Sequence, residues 1–327
     1  MSNGKFVISL DFEIYWGLRD AVKLENYKEN LLGVQQVIPL SLALFKKYDI
    51  RATFAVVGFL FFDNKTELLN NLPVSKPNYT NTKLSPYNGY LKTIGEDETA
   101  DEYHFASSLI NQVRQAEQEI ASHTFSHYYC LEKGQTKEAF KQDLIAAKNI
   151  AKKRGIEFKS VVFPRNQCNK EYLAICREMG FTAFRGNEKS WLFSSESFAS
   201  EFFLRRPFRL IDSYLNLSGN NCYSIEDMKN LPMVNIPSSR FLRPYSKKFN
   251  VFEKLRLKRI ISSMTYAAKN NLMYHLWWHP HNFGLNMNEN FLFLEKILLH
   301  YSKLNIEYNF ENVTMQQLAD EVRRLNK

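Results

Sequence analysis

The 327-residue chain is 45% hydrophobic and 14% aromatic, a balance that excludes a disordered or low-complexity protein. It has no run of 18 apolar residues, and its opening MSNGKFVISLDFE lacks an apolar signal core, so neither a transmembrane helix nor a secretory signal is expected and a cytoplasmic location is inferred. The formal net charge is +9, and between Arg205 and Arg259 twelve Lys or Arg stand against four Asp or Glu, so nearly all the excess lies there.

Taken in chain order, KFVISLD (5–11) reads as a buried strand, and 33–48 as a helix with Val34, Val37, Ile38, Leu42 and Phe45 on one stripe. RATFAVVGFLF (51–61) is β-branched and aromatic and predicts a second strand. Residues 62–104 are polar, Asn-rich and too long for an ordinary connection. A helix (106–117), the short strand EIASH (119–123) and another helix (136–154) follow. KSVVFPR (159–165) and FTAFRG (181–186) read as strands around a helix at 169–180. After an irregular stretch (187–230) come a strand (232–237), a basic helix (251–270), the strand NLMYHLWWH (271–279) and a helix at 288–303. Thr314 and Gln317 have capping-box spacing at the start of a last helix, 314–325. This alternation predicts an α/β fold. It reads as one domain over 1–327, a TIM-like (β/α) barrel of about seven parallel strands with insertions at about 62–104 and 187–230.

In ASHTFSHYY (121–129), His123 and His127 stand four apart, in a chain with only seven histidines. On a helix such residues share a face and two imidazoles reach one metal ion. The intervening Thr124, Phe125 and Ser126 supply no carboxylate, so a third ligand and a base must come from elsewhere. Alternatively, one His caps a helix and the other packs in the core. Barrels collect their chemistry at the carboxyl ends of strands. Four predicted strand ends carry reactive groups: Asp11 and Glu13, His123 and His127, Arg165, and His279 with His281. His281 is also a candidate substrate contact, and Trp191, Trp277 and Trp278 are candidates to stack on a sugar ring, although one of the last pair must face the core. Arg185 and the Arg205–Arg209 cluster are candidates for a phosphate. His104, His275 and His300 are assigned to structure or surface. The basic region is either a solvated face or a surface for phosphate or an anionic membrane. Nucleic acid is not expected, since no recognition module is present.

ISLDFE (8–13), ATFAVVG (52–58), HTFSH (123–127), FPRNQ (163–167) and WWHPHNFG (277–284), in that order, resemble the motifs of the polysaccharide deacetylases, the NodB-homology carbohydrate esterases. The resemblance runs over roughly 5–285. It implies a distorted (β/α) barrel and hydrolysis of an N-acetyl group on a sugar. It further implies Asp11 as general base, Glu13, His123 and His127 as metal ligands, Arg165 as the cation orienting Asp11, and His279 as general acid. The common pattern has two adjacent aspartates, whereas here Phe12 separates Asp11 from Glu13. Residues two apart share a strand face, so both acids can reach one site, with the roles of base and ligand open to exchange. One carboxylate and two imidazoles with open positions suit zinc. The expected function is metal-dependent N-deacetylation of an amino sugar, on a nucleotide- or lipid-linked precursor of a surface glycan. Another C–N hydrolase on this fold, such as a deformylase or a metal-independent amidohydrolase, and a non-catalytic carbohydrate-binding barrel are the alternatives. No feature of the sequence sets the oligomeric state.

Overall fold

In KFVISLDF all eight residues are buried, as expected of a strand covered on both faces. It forms β1 (Lys5–Phe12) of the computed structural model, which describes residues 3–193, 205–228 and 233–325. The other described strands are β2 (Thr53–Val56), β3 (Glu119–Ser122), β4 (Ser160–Val161), β5 (Ala183–Phe184), β6 (Val234–Asn235), β7 (Arg240–Phe241), β8 (Met273–Trp278) and β9 (Glu311–Asn312). They pair in parallel in the order β6-β5-β4-β3-β2-β1-β8-β7, with β9 beside the start of β1. The principal path thus has eight strands where about seven were expected, the addition being β7.

One segment closes the circuit. The N–H groups of Val234, Ile236 and Ser238 donate to carbonyls of Thr182, Phe184 and Gly186. Those of Ser239 and Leu242 then donate to His275 and Trp277 on the opposite flank. The sheet is thereby curled into a distorted (β/α) barrel. Outside it lie α1 (Lys28–Leu32), α2 (Val34–Lys47), α3 (Lys65–Asn70), α4 (Ser107–Gln115), α5 (Lys137–Lys153), α6 (Lys170–Glu178), α7 (Arg205–Asp212), α8 (Glu253–Lys269) and α9 (Met287–Tyr308). Each long helix buries one stripe. In α2 it is Val34, Val37, Ile38, Ser41 and Phe45.

Period-two alternation decides what enters the barrel. On β1, Phe6, Ile8, Leu10 and Phe12 pack outward under the helices, while Val7 faces inward with Ala55, Ala121, Val162, Ala183 and Met273. The last helix, α10 (Met315–Arg324), starts with the expected Thr314–Gln317 capping box. It lays Met315, Leu318, Ala319 and Val322 against that inner layer, sealing the end at which the strands begin. The same parity carries Ser9, Asp11 and Glu13 up the barrel wall toward the open end.

Several strands are shorter than the sequence suggests, because the chain leaves the sheet to build that open end. The expected strand 51–61 stops at Val56, and Gly58–Phe61 form a 3-10 turn. There the N–H groups of Gly58 and Phe59 donate to the carbonyls of Thr124 and Phe125. The expected strand 159–165 pairs only at Ser160–Val161, since Pro164 opens a turn in which Arg165 and Asn166 have φ of 53° and 52°.

Candidate metal and catalytic site

Glu13 lies one residue past β1, in extended alignment with Asp11, before Ile14 turns the chain at φ 45°. Its Oε2 is 3.2 Å from His123 Nε2 and 3.0 Å from His127 Nε2. The histidines do not share a helix. They converge because Thr124 (φ 62°) and His127 (φ 58°) adopt left-handed backbone, which reverses the loop after β3. Such strain persists only where neighbours hold it. Asp143, buried on α5, accepts from the N–H groups of Phe125 and Ser126 at 2.7 and 3.1 Å and from the Ser126 hydroxyl. The Thr124 hydroxyl accepts from the Tyr128 N–H at 2.8 Å.

The three side chains fit a divalent cation. His123 Nδ1 lies 2.9 Å from the Val162 carbonyl, to which its N–H donates. With Nδ1 so engaged, Nε2 faces a carboxylate oxygen, and a proton or a cation on that side reconciles the two at that distance. Burial holds His127 below its usual pKa, against the opposing pull of Glu13. Burial would also raise Glu13, but His279, His123 and His127 together hold it well below the usual carboxylate range. An ionised carboxylate beside a neutral imidazole is the protonation state metal ligation requires. All ligand atoms of this buried group lie within 4.8 Å of one another.

Asp11 meets a different cation from the one expected. Arg165 does not reach it. The left-handed turn sends the Arg165 guanidinium to Asp20 and over the Tyr129 ring, at 4.4 Å from its centroid. Arg185, one residue past β5, instead binds Asp11 bidentately, Nη1 to Oδ1 at 2.6 Å and Nη2 to Oδ2 at 2.7 Å. Asn166 Oδ1 and Ser9 Oγ accept further N–H bonds from it, and it lies 4.1 Å from the Trp277 ring centroid. Burial would raise the Asp11 pKa, and the Arg185 charge, aided by His123 and His279, lowers it. Because Arg185 is buried and both its Nη atoms are bound to Asp11 and its neighbours, the expectation that it contacts substrate or phosphate gives way to an internal role.

His279, just past β8, places Nε2 3.5 Å from Glu13 Oε1 and 3.8 Å from Asp11 Oδ2, and is partly exposed. His281 is buried, its ring stacked on His279 at 4.9 Å, and burial depresses it to about 3, aided by the neighbouring His279. Trp278 packs in the outer core against Phe283, while Trp277 faces the barrel. The side chain of Trp191 lies outside the described residues. Of the remaining histidines, His104 binds Asp101 and Tyr90, His275 binds Ser9, and His300 binds Thr265.

Residues 28–184 match the family model described as polysaccharide deacetylase. Over that span, just under half of its length, the chain is similar to the polysaccharide deacetylases. Sequence comparison with curated proteins gives no match. Among solved structures, a putative polysaccharide deacetylase from Mycobacterium smegmatis is similar at a TM-score of 0.62 and 12% identity, over 99% of this chain and 91% of that one. A probable polysaccharide deacetylase from Pseudomonas aeruginosa PAO1 has a TM-score of 0.58 at 10% identity, over 98% and 91%. Puue allantoinase has 0.54 at 11%, over 97% and 89%. At such identities the likeness is one of fold.

The sequence alone did not single out Asp143, Asn166, Gly17 or the Ser9–His275 pair. Asn166 and Ser9 stand inside the motifs FPRNQ and ISLDFE, and inward parity marks Ser9. Asp143 lies on a helix stripe between Phe140 and Leu144, a buried acid that only a partner across the fold explains.

Proposed function

We propose that this chain is a metal-dependent hydrolase that removes the N-acetyl group of an amino sugar, acting in the cytoplasm on a nucleotide- or lipid-linked precursor of a surface glycan. The observation that carries the reading is the Glu13 carboxylate facing two imidazole nitrogens, with His279 within 4 Å of both that carboxylate and an arginine-held Asp11. Glu13, His123 and His127 would hold a divalent cation, zinc by the character of the donors, which would supply Lewis acidity toward the amide carbonyl and lower the pKa of a water molecule. Asp11, kept ionised by Arg185, accepts the proton of the attacking water. Both its oxygens already accept from Arg185, and each retains a lone pair for this. Water oxygen bonds to the carbonyl carbon and the C–N bond breaks. His279, as imidazolium, gives the departing nitrogen its proton, without which an amine is a poor leaving group. Acetate and the free amino sugar are the products.

Phosphate-linked substrates are favoured by the basic segment 205–259, though not by all of it. Arg240, Arg256 and Arg259 are buried and face Asp212, Glu253 and Asp212 respectively, so recognition falls to the exposed cations. The test is acetate release from nucleotide-linked and polyprenyl-phosphate-linked N-acetyl sugars, with and without chelator. Turnover lost on chelation and restored by zinc, and absent in Asp11→Asn that still binds zinc, supports the reading. Turnover indifferent to chelator favours a metal-independent amidohydrolase, and no release from any amino sugar sinks the proposal.

A further inference from the structure

Two neighbouring segments expose apolar side chains that the core does not use. On α7 and the turn after it, Phe208, Ile211 and Leu215 recur at helical spacing, followed by Leu217, all exposed. In the 3-10 turn Lys247–Phe252 and the first turn of α8, Val251 (75% exposed), Phe252 and Leu255 do the same. Tyr214 joins the two, its ring 6.2 Å from Phe249 and 5.9 Å from Phe252.

The charges of these segments are sorted by depth. Their acids point inward. Asp212 is buried, takes Arg240 Nη1 at 2.6 Å and accepts the N–H groups of Leu217 and Ser218. Glu253 is bound by Arg256. Lys247, Lys248, Lys254 and Lys258 are exposed and form no ion pair among the described residues. The result is an apolar patch studded with four lysines and no free carboxylate. It lies at the catalytic end, because the chain enters it directly from the carboxyl end of β7, where the Phe241 ring is 5.8 Å from His279.

We propose that this surface docks the open end of the barrel on an anionic lipid bilayer. Aliphatic and aromatic side chains ringed by lysine suit the headgroup boundary, where the apolar groups enter the acyl region and the ammonium groups meet lipid phosphates. A second copy of the chain fits badly, since pairing this patch with itself sets lysine against lysine. Nucleic acid would leave the aliphatic side chains without a partner. Docking stands apart from catalysis. It also makes the lipid-linked member of the proposed substrate class the favoured one, a clause that rests on the deacetylase reading.

The test is co-sedimentation of the full chain with phosphatidylcholine vesicles and with vesicles that also contain phosphatidylglycerol. Binding to the anionic vesicles alone is expected, weakening with salt and falling about five-fold for each lysine changed to alanine. A Val251→Asp, Phe252→Asp variant should lose binding while keeping the wild-type urea midpoint. Wild type that ignores both vesicles, variants that bind as well as wild type, or self-association without lipid that the double variant abolishes would each overturn the proposal. None of these readouts involves turnover, so loss of the deacetylase reading would leave them unchanged.

Discussion

A β-carbon built on Gly17 would lie 2.1 Å from Glu13 Cδ and 2.2 and 2.4 Å from its two oxygens, so the absent side chain is what lets the carboxylate stand between the histidines. Gly17→Ala is expected to push Glu13 aside and weaken zinc binding about ten- to a hundred-fold, the range for losing a group that orients a ligand. Titration calorimetry on folded variant decides it, and unchanged affinity would show that Glu13 has room to shift. Arg185 gives a second residue-scale prediction. Arg185→Ala leaves Asp11 charged and buried without its partner, at a cost of about 3–5 kcal/mol, whereas Arg165→Ala leaves the Asp11 pair untouched. Urea unfolding of the two variants should rank them in that order, and the reverse ranking would break the assignment. The sequence named Asp11, Glu13, His123, His127 and His279, and the structure brings all five together. It misplaced the arginine. FPRNQ offered an arginine at a strand end, but two consecutive left-handed residues, invisible to period-two reasoning, turn it outward. Arg185 was legible by parity alone, since Ala183 faces the barrel and the second residue after it must too.

The loop 123–127 carries two of the three proposed ligands, yet no regular hydrogen-bond ladder holds it. Beside the bonds its carbonyls accept from Gly58 and Phe59, it is held by Asp143, which reaches it from α5. Asp143→Ala would leave the buried N–H groups of Phe125 and Ser126 without an acceptor, at roughly 1–3 kcal/mol each, and free Thr124 and His127 to relax from left-handed backbone. The expected result is a lowered urea midpoint together with weaker zinc binding. A stability loss with zinc affinity intact would mean that the loop is held by other contacts. At this scale the long elements were readable because periodicity accumulates over many residues: α2, α5, α8 and α10 lie within two residues of their expected bounds. β4, β5 and β6 pair over two residues each, too few for alternation to mark their ends. β7 is a two-residue pairing in SSRFLRP, whose flanking serines and proline read as loop.

With α10 closing one end of the barrel, the middle of the barrel buries a titratable group away from solvent. His275 sits there, bonded to Ser9 Oγ at 2.8 Å, and burial, aided by the Arg185 charge, depresses it to about 3. In the unfolded chain it titrates near 6.5. Between these values the unfolded state binds the extra proton, so stability rises with pH. The contribution is complete above 6.5 and is lost as pH falls toward 3, at about 1.4 kcal/mol per unit. His281, also depressed to about 3, adds a slope of the same sign. Asp143 opposes them, because burial raises it to about 6 and folding therefore favours its protonated form as pH falls below that value. The whole-protein profile mixes these signs, and a difference measurement separates them. His275→Gln removes one titrating group and leaves His281 and Asp143 in place. Plotted against pH from 6 to 4, the stability of wild type minus that of His275→Gln should fall by about 1.4 kcal/mol per unit. Urea unfolding at half-unit steps would show it. Parallel profiles would mean that His275 takes up its proton inside the folded barrel, and that water reaches further past the site than the packing of β1 and β8 implies.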